Sequence, residues 1–231
     1  MTIVVHVPHA STFVPEDVVE QFQIPRAALE AEAQTSADLY TDLLAHAAWP
    51  NAQIIAAPVS RLVVDVERYA DDTQEVMAHV GRGMIYTHTH DGIRMRRTLS
   101  NRERILLKEK WYDPHWSRLR SAASEAVIID LHSYPAKAWP VEPDHYAERS
   151  EIDLGTSEAL TPSDWVARMS EHFRACGYDV GINTPYAGVI DAGSTAAVMI
   201  EIRRDVIGNP SGCEKWRQLS NCLSSMPTNL K

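Results

Sequence analysis

The sequence predicts a single α/β domain over residues 1–231, with a mixed, mostly parallel sheet flanked by helices. Three observations predict it. Apolar, β-branched runs occur at Ile3–His9 (IVVHVPH), Val127–Ser133 (VIIDLHS) and Val198–Arg203 (VMIEIR). They lack strict polar alternation, as expected of strands buried on both faces of a parallel sheet. Segments with helical periodicity separate them, which is the pattern of α/β folds.

In chain order, Thr2–Val7 reads as the first strand and runs into the turn Pro8-His9-Ala10-Ser11. Ile24–Ala48 reads as one helix: Pro25 suits its first turn, and Leu29, Ala33, Ala37, Tyr40 and Leu44 recur at helical spacing. Ala52–Pro58 and Arg61–Val66 read as strands. Asp71–Arg97 is polar and contains Gly81, Gly83 and Gly92, so it reads as a loop region lining a site, with one short strand near Met84–Thr87. Ser100–Glu125 is a long amphipathic helix or helix pair, with Pro114 as break or kink. After the strand Ala126–Leu131, the stretch Tyr134–Thr161 carries Pro135, Pro140 and Pro143 and reads as an irregular excursion. Ser163–Cys176 is a helix with Ser163 as N-cap and Gly177 as its stop. The strand Val198–Ile202 and the helix Ser211–Leu223 close the chain.

Composition narrows the function. A net charge of −9 argues against nucleic acid, which needs a basic face. No apolar run reaches about 18 residues and no signal sequence is evident, so the expectation is a cytoplasmic protein without a membrane partner. Cys176, Cys213 and Cys222 lack metal-knuckle spacing and read as reduced thiols.

The strand ends carry the chemistry, because ligands in α/β sheets collect at the carboxyl ends of strands. His9 and His132 both sit there, and each is either a metal ligand or a hydrogen-bonded cap. Asp130, two residues before His132 on the same strand face, can orient the imidazole. Glu201 lies inside an apolar strand, where an unpaired carboxylate is costly. It is therefore either paired with Arg203 or Arg204, or desolvated as a general base. Arg61, Asp65 and Glu67 share a face if their segment is a strand, with Arg68 just beyond. Arginines held by Asp65 suit capture of a carboxylate; an exposed strand laced with ion pairs is the plainer reading. His88 and His90 read as part of a mobile loop lining the cleft rather than as ligands. His115 and His145 carry less weight, and packing beside Trp111, Pro114 and Trp116 accounts for His115.

Together these residues resemble the N-formylglutamate amidohydrolase family. The matching pieces are Val7–Ser11, Ser60–Arg68, Asp130–Ser133, Asn183-Thr184-Pro185-Tyr186 with Gly188, and Glu201–Arg204, in the family order. The resemblance implies a fold similar to zinc carboxypeptidases and hydrolysis of an N-acyl amino acid, a small N-formylglutamate-like molecule. It implies Zn²⁺, or another divalent metal, on His9, His132 and an acid. Asp38 is the choice for that acid and Glu16 the alternative. Glu201 resembles the catalytic base, and Arg61, Asp65, Arg68, Ser133, Asn183, Tyr186 and Arg203 are the expected substrate-binding residues. Glu67 stands where the family usually has asparagine, which implies a substrate with an amine or amide in place of one carboxylate. The alternatives are a non-catalytic carboxylate-binding protein and a peptide or cell-wall amidase.

Overall fold

The strands of the computed structural model, which describes residues 2–142 and 148–230, form one six-stranded sheet. The chain opens with β1 (Thr2–Val7), α1 (Glu16–Val19), α2 (Arg26–Ser36), α3 (Thr41–Ala48) and β2 (Gln53–Ala56). Next come α4 (Asn101–Leu107), α5 (Asp113–Ala123), β3 (Ala126–Tyr134) and β4 (Ile152–Gly155). It closes with α6 (Ser163–Ala175), β5 (Val180–Ile182), β6 (Ala196–Arg203), α7 (Arg204–Ile207) and α8 (Glu214–Ser224). The order across the sheet is β2-β1-β3-β6-β4-β5, and only the β4–β6 pair is antiparallel. The expected mixed, mostly parallel sheet is thus present.

Side-chain alternation sorts each central strand into two faces. Val5, Val7, Ile129, Leu131, Val198 and Ile200 belong to the larger core, which includes Leu44 of α3, Trp165 of α6 and Leu219 of α8. On the other face Val4, Ile128 and Ala197 meet Leu119 and Ala123 of α5. Moving two or four residues along the strands on this second face leads to His6, Asp130, His132 and Glu201. The register pairs His6 with Asp130 and His132 with Glu201. The same face is therefore apolar where the strands begin and ionisable where they end.

Several expected elements differ. The helix expected over Ile24–Ala48 is two helices, because Ala37 is extended and Tyr40 takes the left-handed conformation (φ 70°). The break is held by tertiary contact: the Asp38 N–H donates to the His9 carbonyl at 2.9 Å. Arg61–Val66 is a series of turns, not a strand. Asp65 makes those turns itself, accepting from Arg61 four residues back and from the Glu67 N–H two residues on. No strand forms at Met84–Thr87, only an isolated bridge between Arg82 and Tyr86. α4 and α5 run together through a wide π turn at Lys108–Tyr112, with Pro114 tolerated in the first turn of α5. The excursion after β3 contains β4, and β5 was not foreseen either; at four and three residues they leave little periodic signal. Pro162, not Ser163, is the N-cap of α6, without a side-chain cap, while Gly177 (φ 94°) follows it as expected. Cys176 and Cys222 form a disulfide from the end of α6 to α8, contrary to the expectation of reduced thiols. His145 lies outside the described residues. Among the described residues no helix is long and apolar enough to cross a membrane.

Candidate metal centre

His9, just past β1, and His132, near the end of β3, bring their rings to a centroid separation of 5.2 Å, both almost fully buried. Each imidazole is gripped by a buried aspartate on its Nε2 edge. His9 Nε2 lies 2.9 Å from Asp65 Oδ1, and His132 Nε2 lies 3.0 Å from Asp130 Oδ1. Both Nδ1 atoms face one oxygen: Asp38 Oδ2 is 3.5 Å from His9 Nδ1 and 3.3 Å from His132 Nδ1. His9 Nδ1 is buried and has no hydrogen-bond partner among the described residues. The break between α2 and α3 is what places Asp38 here, and Arg204 Nη2 donates to its other oxygen at 3.2 Å.

Those spacings discriminate. A charge-assisted hydrogen bond of this type spans about 2.7–2.9 Å. Two ligands at 2.0–2.2 Å from one tetrahedral ion lie roughly 3.3–3.6 Å apart. The distances to Asp38 match shared coordination better than direct hydrogen bonding. With a proton on each Nε2 facing its aspartate, each neutral ring keeps a lone pair on the Nδ1 that faces the Asp38 oxygen.

The opposite edge also gathers acid. Glu67 Oε1 lies 3.1 Å from His132 Nε2 and Oε2 lies 3.7 Å from His9 Nε2, and one ligand atom from each of these three residues falls within 4.8 Å of the others. On this edge the imidazole nitrogens are also engaged with Asp65 and Asp130. Glu67, which shares its segment with Arg61 and Asp65 and replaces the family's asparagine, thus approaches both rings.

The electrostatics favour a cation. Burial would raise Asp38, but the close approach of His132 and His9 and the Arg204 charge hold it well below the usual carboxylate range. Burial would likewise raise Asp65, and the Arg61 and His9 charges more than reverse that. Burial opposes charge on His132, but Glu67 and Asp130 lift its pKa well above the ordinary value, so a metal ion on Nδ1 would take the place of a proton there. Glu201, opposite His132 in the register, differs. Burial pushes it up to about 8, the negative charges of Asp38 and Glu67 add to this, and His132 and Arg61 only partly oppose it. Glu201 Oε2 is buried and has no hydrogen-bond partner among the described residues.

These groups line a cleft of about 520 Å³ that includes His9, His132, Glu201, Glu67, Arg61 and Arg68. Tyr112, Trp116, Ile190 and Met199 form an apolar side of it. A second lobe of about 570 Å³ shares Arg61, Glu67, Arg68 and Tyr186 and extends to Arg82 and Trp139.

The expected substrate residues divide. Arg61 and Arg68 line the cleft, and Asp65 stands behind Arg61, accepting from its Nη2 at 2.8 Å and from the Tyr86 hydroxyl at 2.7 Å. Tyr186 lines both lobes and donates to Glu142 at 2.6 Å. Ser133, Asn183 and Arg203 line neither lobe. Ser133 falls on the opposite face of β3 from His132 and accepts from Arg204 at 3.4 Å. The Asn183 side chain bonds Thr156, and Arg203 is tied to Asp205 and the Arg149 carbonyl. Arg204, not Arg203, reaches the centre; neither forms an ion pair with Glu201 among the described residues. Glu16 is exposed and paired with Arg26. His88 and His90 line neither lobe; they bond Thr87 and Glu32, although Gln74–Met77 from the same polar region does line the second lobe. His115 is more than packing, since its Nε2 meets His6 Nε2 at 2.8 Å.

One neighbouring acid gives a pH signature. Asp153 pairs with Glu201 in the register; its Oδ2 accepts from the Thr184 N–H, while buried Oδ1 has no partner among the described residues. Burial pushes its pKa up to about 6. The folded state then binds more protons than the unfolded state between about pH 4 and 6, so stability falls as pH rises through that window. Asp153→Asn should therefore gain stability relative to the parent between pH 4 and pH 7, by up to about 3 kcal/mol. Urea melts at both pH values check this, and a gain independent of pH contradicts it.

A family model described as N-formylglutamate amidohydrolase matches residues 1–208. The crystal structure of N-formylglutamate amidohydrolase from Ralstonia eutropha JMP134 superposes with TM-score 0.80 at 21% identity, over 97% of this chain and 90% of that one. The structure of a gene product from Agrobacterium tumefaciens gives TM-score 0.73 at 19% identity, over 97% and 88% respectively. No curated protein matches the sequence.

Proposed function

The chain belongs to the N-formylglutamate amidohydrolase family, and on that premise we propose that it hydrolyses the amide bond of an N-acyl amino acid, N-formylglutamate-like in character, with a divalent metal ion. The residues that would hold the ion are His9, Asp38 and His132. The observation that carries this is the convergence of two Nδ1 atoms, one without a hydrogen-bond partner, on a single buried Asp38 oxygen. Nitrogen and oxygen donors of this kind suit zinc. When bound, such an ion polarises a carbonyl and brings the pKa of water to about 7.

The remaining chemistry belongs to the chain. Glu201 accepts the proton of the attacking water and delivers it to the leaving nitrogen. Its raised pKa makes it a strong acceptor for a carboxylate, and its free Oε2 leaves an oxygen open for that proton. Arg61, held in orientation by Asp65 and accompanied by Arg68, binds the substrate carboxylate at the junction of the two lobes. The Tyr112 and Trp116 side supplies apolar surface and restricts water.

Arg61→Met tests substrate capture. Losing a charged hydrogen-bond partner is worth about 1.5–3 kcal/mol, so KM should rise roughly 10- to 100-fold with a smaller change in kcat. An unchanged KM for N-acyl glutamates would remove Arg61 from the binding group. The function as a whole is tested by assaying N-formyl, N-acetyl and N-succinyl amino acids before and after chelation. Chelator-sensitive release of the free amino acid supports it; tight carboxylate binding without turnover contradicts it.

A further inference from the structure

A buried polar chain runs from His132 through Asp130 to two further histidines. Asp130 Oδ1, which lies 3.0 Å from His132 Nε2, also lies 2.7 Å from His6 Nδ1. His6 Nε2 in turn lies 2.8 Å from His115 Nε2 on α5. These four side chains are at most 3% exposed. Among the described residues no lysine or arginine pairs with Asp130. Asp65, behind His9, is anchored differently, by the Arg61 cation and the Tyr86 hydroxyl.

With Asp130 ionised and His6 neutral, the hydrogen-bonding capacities set the direction of every link. An ionised Asp130 only accepts, so His6 Nδ1 and His132 Nε2 must both donate. A neutral His6 then has only a lone pair on Nε2, and His115 Nε2–H must donate to it. That leaves His115 Nδ1 bare. It is buried and has no hydrogen-bond partner among the described residues. With Nε2 protonated, His132 presents its lone pair at Nδ1, towards Asp38.

We infer that His115 and His6 are positioning residues which, through Asp130, select the His132 tautomer that offers Nδ1 to a divalent cation. This rests on the ligand set proposed above. Carboxylates behind metal-binding histidines fix ring orientation and tautomer in this way. Here the carboxylate is itself oriented by two further imidazoles, one of them from α5, the helix that packs on this face of the sheet.

The test has two readouts. In metal-free wild-type protein, imidazole ¹⁵N spectra should show the proton on Nδ1 of His6 and on Nε2 of His115. The opposite pattern at either ring overturns the inference. In zinc competition titrations, His115→Leu should weaken affinity about 10- to 100-fold, the range for losing such a supporting contact. His115→Gln, whose amide can still donate to His6, should restore affinity to within a few-fold of wild type. A thermal melt of each variant separates this from unfolding. Equal zinc affinity in Leu and Gln variants, with both folded, overturns the inference. A wild-type protein that binds no zinc defeats the functional proposal first, while the spectra still decide the direction of the chain independently.

Discussion

Replacing Glu201 by glutamine should lower kcat by about 10²- to 10⁴-fold, the usual span for a general base, while zinc remains near one per chain. Glu201 belongs to an apolar strand, faces His132 across the register and has a buried oxygen without a hydrogen-bond partner among the described residues. Glutamine preserves shape but cannot take a proton. Because burial raises the glutamate pKa, removing its charge costs the fold nothing above neutrality, and the variant should melt no lower than wild type at pH 9. A purely structural Glu201 would give the reverse, with activity kept and stability lost. Full turnover in the folded variant excludes Glu201 as the base.

Asp38→Asn should have the largest effect on metal content, weakening zinc by more than 100-fold and abolishing turnover at ordinary zinc concentrations. The loss should exceed the roughly 10- to 100-fold seen when only a residue supporting a ligand is changed. Asparagine keeps the volume and can still accept from Arg204, so the comparison isolates the charge. Glu67→Gln is the matched control, because Glu67 approaches the same rings from their Nε2 edge. It should retain zinc within about tenfold. The opposite ranking, with Glu67→Gln losing metal and Asp38→Asn keeping it, would move the ion to the other edge of the imidazoles.

The central strands were legible because burial on both faces writes an uninterrupted apolar run into the sequence. The same rule misread Arg61–Val66, whose Leu62, Val63 and Val64 are just as buried but sit in turns organised by Asp65. The interruption at Asp38 was invisible, since the apolar spacing from Leu29 to Leu44 continues across it. It exists because the Asp38 backbone bonds to the loop after β1, a contact between segments far apart in sequence. Asp38 itself was reached by family resemblance alone.

Side-chain roles followed the strand pattern only while the strand lasted. Asp130, His132 and Glu201 obey alternation, whereas β6 ends at Arg203 and the helical turn beginning at Arg204 reorients the chain. The family resemblance pointed to Arg203, and the structure brings Arg204 to Asp38. Which nitrogen of each histidine faces the site was unreadable, because Asp65 and the pair His6 and Asp130 decide it in three dimensions. His6 did leave a trace, as one ionisable residue inside IVVHV.

The most direct check of the metal centre is anomalous diffraction at the zinc edge from crystals of the zinc-loaded protein. The predicted result is one peak about 2.0–2.2 Å from His9 Nδ1, His132 Nδ1 and Asp38 Oδ2. A peak bound through the Nε2 atoms beside Glu67, or none between the rings and Asp38, would contradict it.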